Sequence, residues 1–110
     1  MTVKKGSTAA HQELVSDILI KYGADTRYRL WSNNTGTVFS KGRKISFGLT
    51  GSSDIIGLRR CDGKFLAIEI KTGKAVQSKK QKDFQKMIEA FGGIYILARK
   101  KKVPELEKMD

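Results

Sequence analysis

Two carboxylates and an amine, Asp54, Glu69 and Lys71, lie on either side of an Asp62-Gly63 pair. Asp-Gly between two apolar, β-rich runs is a strong short-range signal for a β-hairpin. With Asp62-Gly63 as the turn, Cys61 faces Lys64, Leu58 faces Ala67, Ile56 faces Glu69 and Asp54 faces Lys71. Opposed residues share a face, so all three ionisable groups project to the same side. Asp54 then stands diagonally across from Glu69, with Cα atoms roughly 7–8 Å apart and side chains closer. Carboxylates at that separation can grip one hard divalent cation, Mg²⁺ or Mn²⁺, with the Ile70 carbonyl as a third protein ligand. Such a cation neutralises phosphate charge and lowers the pKa of an attacking water. Lys71, about 7 Å along the strand from Glu69, is placed to position that water or stabilise developing charge.

The flanking segments supply a frame for this hairpin. Ser7 or Thr8 can cap a helix running to about Tyr22, with an apolar stripe of Ala10, Leu14, Ile18 and Tyr22 widened by Val15 and Leu19. Glu13 lies beside that stripe, and by itself it reads as a solvated flank charge. Asp25–Asn34 reads as a first strand, and Asn33–Gly36 as a turn. Thr37–Phe39 and Lys44–Phe47 form a second hairpin about Lys41-Gly42, presenting Lys41, Arg43 and Lys44. Interleaved basic and aromatic residues suit contact with a nucleic-acid backbone, although an ordinary edge hairpin is an equal reading.

Ser78 and Gln81 make a capping box for a helix that carries Phe84, Met87, Ile88 and Phe91 at core spacing and stops at Gly92-Gly93. Ile94–Ala98 is an apolar run suited to a buried strand, paired in parallel through the helical crossover. Pro104–Met109 is expected to add a final helical turn. The order is helix, strand or hairpin, two central strands, helix, strand, which makes one α/β domain over residues 1–110.

Charge narrows the class of partner. The 22 Lys+Arg against 11 Asp+Glu leave a formal +11, an excess that favours a polyanion such as DNA. Lys74, Lys79 and Lys80, around the start of the second helix, join Lys41, Arg43 and Lys44 as candidate nucleic-acid contacts. No apolar run approaches the roughly 20 residues of a membrane span. Met1–Gly6 has no apolar signal region behind it, which argues against export. The single cysteine, Cys61, permits no internal disulfide and fits a reducing cytosol; it reads as structural. One histidine, His11, is too few for a histidine-metal nuclease or a Ser–His–Asp triad. No Gly-rich phosphate loop ending in Gly-Lys-Ser/Thr is present, so an ATP-driven role is unsupported. Trp31 reads as a core residue rather than a base-stacking one.

Four segments together resemble a known family: Gly51-Ser-Ser-Asp-Ile-Ile-Gly57, Ala67-Ile-Glu-Ile-Lys-Thr-Gly73, Ser78-Lys-Lys-Gln-Lys-Asp-Phe84 and Gly92-Gly-Ile94. They are similar to the PD-(D/E)xK nuclease superfamily, and within it to the VRR-NUC (virus-type replication–repair nuclease) branch in its small stand-alone phage and prophage form. The resemblance implies a restriction-endonuclease-like core with a three-to-four-stranded mixed sheet. It implies metal ligation by Asp54 and Glu69, a catalytic Lys71, and catalytic roles for Gln81, matching the glutamine after the core, and for Glu13, matching the first-helix acid that approaches the metal site or its water. Ser53 stands where the superfamily name has proline. Further implications are cleavage of branched DNA such as Holliday junctions or flaps, a homodimer, and an intracellular setting in a bacterial host.

Two other readings compete with a nuclease. One is a basic DNA-binding module of the same fold without chemistry. The other is a ribosomal-type RNA-binding protein in which the hairpin charges form salt bridges only.

Overall fold

The computed structural model describes residues 9–34, 36–99 and 103–106. It is a mixed α/β structure: α1 (Ala9–Gly23), β1 (Tyr28–Ser32), β2 (Gly36–Ser40), β3 (Arg43–Phe47), β4 (Ile55–Arg59), β5 (Phe65–Lys71), α2 (Lys79–Ala90) and β6 (Ile94–Arg99). Four strands make one mixed sheet in the order β1-β4-β5-β6, and β2 and β3 make a separate two-stranded sheet. β5 and β6 are parallel, as the intervening helix requires, and the other neighbours are antiparallel.

β5 explains the layering. Leu66, Ile68 and Ile70 pack with Leu14, Val15 and Ile18 of α1, while Phe65 and Ala67 pack with Phe84 and Ile88 of α2. Because strand side chains alternate, one strand supplies both cores and the two helices cover opposite faces of the sheet. Burying an isoleucine such as Ile68 or Ile70 contributes ~1.5–3 kcal/mol, so β5 is the main anchor of the domain. Tyr22 ties the far end of α1 to the last described segment: its hydroxyl donates to the Pro104 carbonyl (2.6 Å) and accepts from the Leu106 N–H (2.8 Å).

The register of the β4–β5 hairpin differs from the expectation by two residues. Ile56 faces Ala67 and Leu58 faces Phe65, and the ladder closes on Arg59, whose N–H donates to the Lys64 carbonyl. Arg60, Cys61, Asp62 and Gly63 form a four-residue loop instead of a two-residue turn. The loop is held by Asp62, whose carboxylate takes the Arg59 guanidinium (2.6 and 3.1 Å) and the Lys64 N–H (3.1 Å). That bond to Arg59 is the main reason the Asp62 carboxyl lies well below the usual carboxylate range. Strand faces repeat every two residues, so the shift preserves which side each residue occupies. It changes the partner: the paired stretch ends at Ile55↔Ile68, one step short of Asp54 and Glu69, so the register does not set Asp54 against Lys71.

Other details depart from the sequence reading. Trp31 (42% exposed) and Phe91 (88% exposed) are not core residues. Trp31 lies on the open side of β1, and Phe91 is the C-cap of α2, one position past the helix end and three past Ile88, the last buried residue of the helix. Cys61 is exposed in the loop, so it has no packing role. The first strand is shorter than expected, and the cap at Ser7 or Thr8 lies outside the described residues. So does the second half, 107–109, of the expected C-terminal turn. Among the described residues, no helix is long and apolar enough to cross a membrane.

Candidate metal centre

Asp54 is placed by backbone bonds from both sides. Asn33, one step past the end of β1, donates its N–H to the Asp54 carbonyl (2.8 Å) and extends the β1–β4 ladder. On the other side the Ile70 N–H donates to Asp54 Oδ2 (2.9 Å), so the carboxylate takes a place that a strand carbonyl would otherwise fill. The preceding turn is equally fixed. Asn33 Nδ2 donates to Ser52 Oγ (2.6 Å) and to the Ser53 carbonyl (2.9 Å), and the fully buried Ser53 donates through Oγ to the Ile55 carbonyl (3.0 Å).

Gly51 seats this turn on the second helix. Its φ is +80°, and a Cβ there would lie 2.4 Å from the Lys80 carbonyl oxygen, so only glycine permits the approach. The first turn of α2 is built as expected: Ser78 Oγ accepts from the Gln81 N–H (3.2 Å), and Gln81 Oε1 accepts from the Ser78 N–H (2.9 Å). Gln81 is thus half-buried at the helix start with its carbonyl oxygen committed to the cap. A hollow of about 440 Å³, lined by Leu49, Thr50, Lys80, Asp83, Phe84 and Met87, opens beside the turn.

Glu69 comes from the buried part of β5. Asp54 is 4% exposed and Glu69 2%, although both carry carboxylates. Burying acids in this way is costly unless a cation or hydrogen bonds compensate. His11, on α1, completes the cluster: its Nε2 lies 3.3 Å from Asp54 Oδ2. One donor atom each of His11, Asp54 and Glu69 can be chosen so that all lie within 4.8 Å of one another.

The separation of His11 Nε2 from Asp54 Oδ2, 3.3 Å, lies close to that of neighbouring ligands on one ion, and the 4.8 Å limit lies just beyond that of opposite ligands. Neighbouring ligands of an octahedral ion with bonds of about 2.1–2.2 Å are about 3.0–3.1 Å apart, and opposite ligands about 4.2–4.4 Å. Two carboxylates and an imidazole are a chemically suitable donor set for a divalent cation.

The remaining sequence-selected residues divide. Lys71 shares the face of Glu69 two residues on and is half-buried at the strand end. The Ile70 N–H is drawn into the centre by Asp54, while its side chain belongs to the α1 core. Glu13 is not brought to the cluster. It is exposed, on the face of α1 turned away from Leu14 and Ile18. Lys41, Arg43, Lys44, Lys74, Lys79 and Lys80 are all exposed, and Lys79 pairs with Asp83 (2.9 Å).

Sequence reasoning missed three contributors. His11 was set aside as a lone histidine, yet it lies three residues before Leu14 and seven before Ile18, on the buried stripe of α1. That spacing was the available signal. Asn33, which the sequence places at the end of the first strand and the start of a turn, carries no signal for its bonds to Ser52 and Ser53. Tyr95, opposite Ala67 on the α2 side of the sheet, accepts a hydrogen bond from Gln77 Nε2 (3.1 Å). Burial is the main reason its pKa is pushed up to about 12, and the negative charges of Glu69 and Asp54 add to the shift. No protein-family model matches the chain, and no curated protein matches it.

Proposed function

We propose that the chain is a divalent-metal-dependent endonuclease with a restriction-endonuclease-like core, related to the VRR-NUC branch, that hydrolyses phosphodiester bonds in branched DNA. The observation that carries this reading is the convergence of His11, Asp54 and Glu69 at one end of the central sheet, with Lys71 on the same strand face as Glu69. Buried acids at that position, in a chain of net charge +11, make sense when a cation and a polyanion are the ligands.

Asp54 and Glu69 would hold Mg²⁺ or Mn²⁺, which supplies Lewis-acid activation of a water and charge neutralisation on the phosphate. The chain's own residues supply the rest. The Ile70 and Asn33 N–H groups fix Asp54, so its carboxylate does not have to be ordered when substrate arrives. Lys71 carries a positive charge to the scissile phosphate and stabilises the negative charge that accumulates on its oxygens. Gln81, already locked into the cap, holds the start of α2 against the Gly51 turn. The exposed cations of β2–β3 and of the α2 start bind the DNA backbone, and a homodimer would present two such centres to a junction.

A labelled four-way junction incubated with the purified protein and Mg²⁺, Mn²⁺ or chelator tests the reading. Metal-dependent nicking lost in Glu69→Ala and Lys71→Ala supports it. Tight binding without nicking in either metal would overturn it in favour of a DNA-binding module.

A further inference from the structure

We infer that His11 is a direct nitrogen ligand of the metal, and that it tunes the centre toward Mn²⁺ over Mg²⁺; this rests on the metal reading of the site given above. Two features of α1 lead there. His11 occupies the inward stripe of the helix, in line with Leu14, Ile18 and Tyr22, so its imidazole is directed over the end of the sheet and is only 18% exposed. Its Nε2 reaches to 3.3 Å from Asp54 Oδ2, close to the spacing of two neighbouring ligands on one octahedral ion.

The chemistry of the donor then sets the preference. Mg²⁺ is a hard ion that gives up water reluctantly and is served by oxygen ligands. An imidazole nitrogen adds little for Mg²⁺, whereas later divalent ions gain progressively from it, in the order Mn²⁺ < Co²⁺. Glu13, the acid that would have made an all-oxygen centre, is exposed on another face of the helix. The helix therefore brings a nitrogen to the site in place of a third carboxylate.

Binding of Mn²⁺, measured from the EPR signal of the free ion, with Mg²⁺ as competitor, separates the possibilities without any cleavage assay. His11→Ala and His11→Glu are compared with the wild type, and circular dichroism without metal checks that each variant folds. Partners that merely orient a ligand already change metal affinity by roughly tenfold or more, so loss of a ligand is expected to weaken Mn²⁺ by at least that factor. Mg²⁺ affinity should change far less in His11→Ala and should rise in His11→Glu. Pulsed EPR of the Mn²⁺-loaded wild type should show nitrogen coupling that vanishes in both variants, a signature a purely structural histidine would not give. Mn²⁺ binding with no nitrogen coupling, or a Mn²⁺/Mg²⁺ ratio equal in all three proteins, would overturn the inference while leaving the metal site intact. Failure of the wild type to bind either ion would instead overturn the metal reading itself.

Discussion

The chain contains two antiparallel hairpins that meet solvent in opposite ways. In β4–β5 the central strand is buried on both faces, and two carboxylates are carried into the interior with it. In β2–β3 the described side chains are mostly exposed, Phe39 at 77% and Val38 at 49%, and the charges are all positive. Lys41 and Gly42 both have positive φ, the requirement of a tight two-residue turn whose twist matches the strands. Phe39 faces Lys44 across this arm, so one face pairs an aromatic ring with a cation, while Val38 and Ile45 share the other. The difference is one of compensation. The buried Asp54 carboxylate accepts the Ile70 N–H and lies beside the His11 imidazole. The lysines and arginine of the other hairpin stay in water, where a long side chain keeps its charge solvated at small desolvation cost.

The largest test of this contrast is on the buried hairpin. Asp54→Asn or Glu69→Ala should lower metal-dependent cleavage by roughly 10²-fold or more, read on the labelled junction, as removal of a charge-stabilising group does elsewhere. Gly51→Ala tests the support of that site. The clash with the Lys80 carbonyl, added to the strain of a positive φ, should destabilise the fold by about 2 kcal/mol in urea unfolding and lower metal affinity as well.

On the exposed arm the signature should be electrostatic. Replacing Lys41, Arg43 and Lys44 together by alanine should leave the melting temperature unchanged. It should reduce the salt dependence of DNA binding by a log–log slope of about 2.7, if each contacts one phosphate. A lowered melting temperature would mean that the arm is part of the packed fold.

Two smaller effects probe the helix and the edge of the centre. Ser78→Ala removes the cap and should cost about 1 kcal/mol. Tyr95 should titrate near pH 12 by ultraviolet absorbance, later than an ordinary tyrosine. Since its folded pKa is raised, its contribution to stability is fully present below about pH 10 and is lost as the pH rises toward 12. Tyr95→Phe should remove that part of the alkaline decline.

Much of the architecture was legible from local signals. The Ser78–Gln81 cap, the Lys41-Gly42 turn and the parallel pairing of Ile94–Arg99 with β5 follow from spacing and turn chemistry, which act over a few residues. That Asp54 and Glu69 come close was also legible, and one carboxylate oxygen of each lies within 4.8 Å of the other. The register of the hairpin was not, because it depends on Asp62 closing a four-residue loop with Arg59. His11 was the least legible of all. A helix stripe tells which side is inward, but what lies beneath the end of that stripe is fixed by where α1 crosses the sheet.

The sequence by itself determined most of the elements, the Lys41-Gly42 turn and the Ser78–Gln81 cap, since each depends on neighbours within a few positions. Only the tertiary structure decided that a histidine from the first helix, and not Glu13, meets Asp54 and Glu69. That choice depends on the packing of α1 against β1 and β5, an arrangement made of contacts across the whole length of the chain.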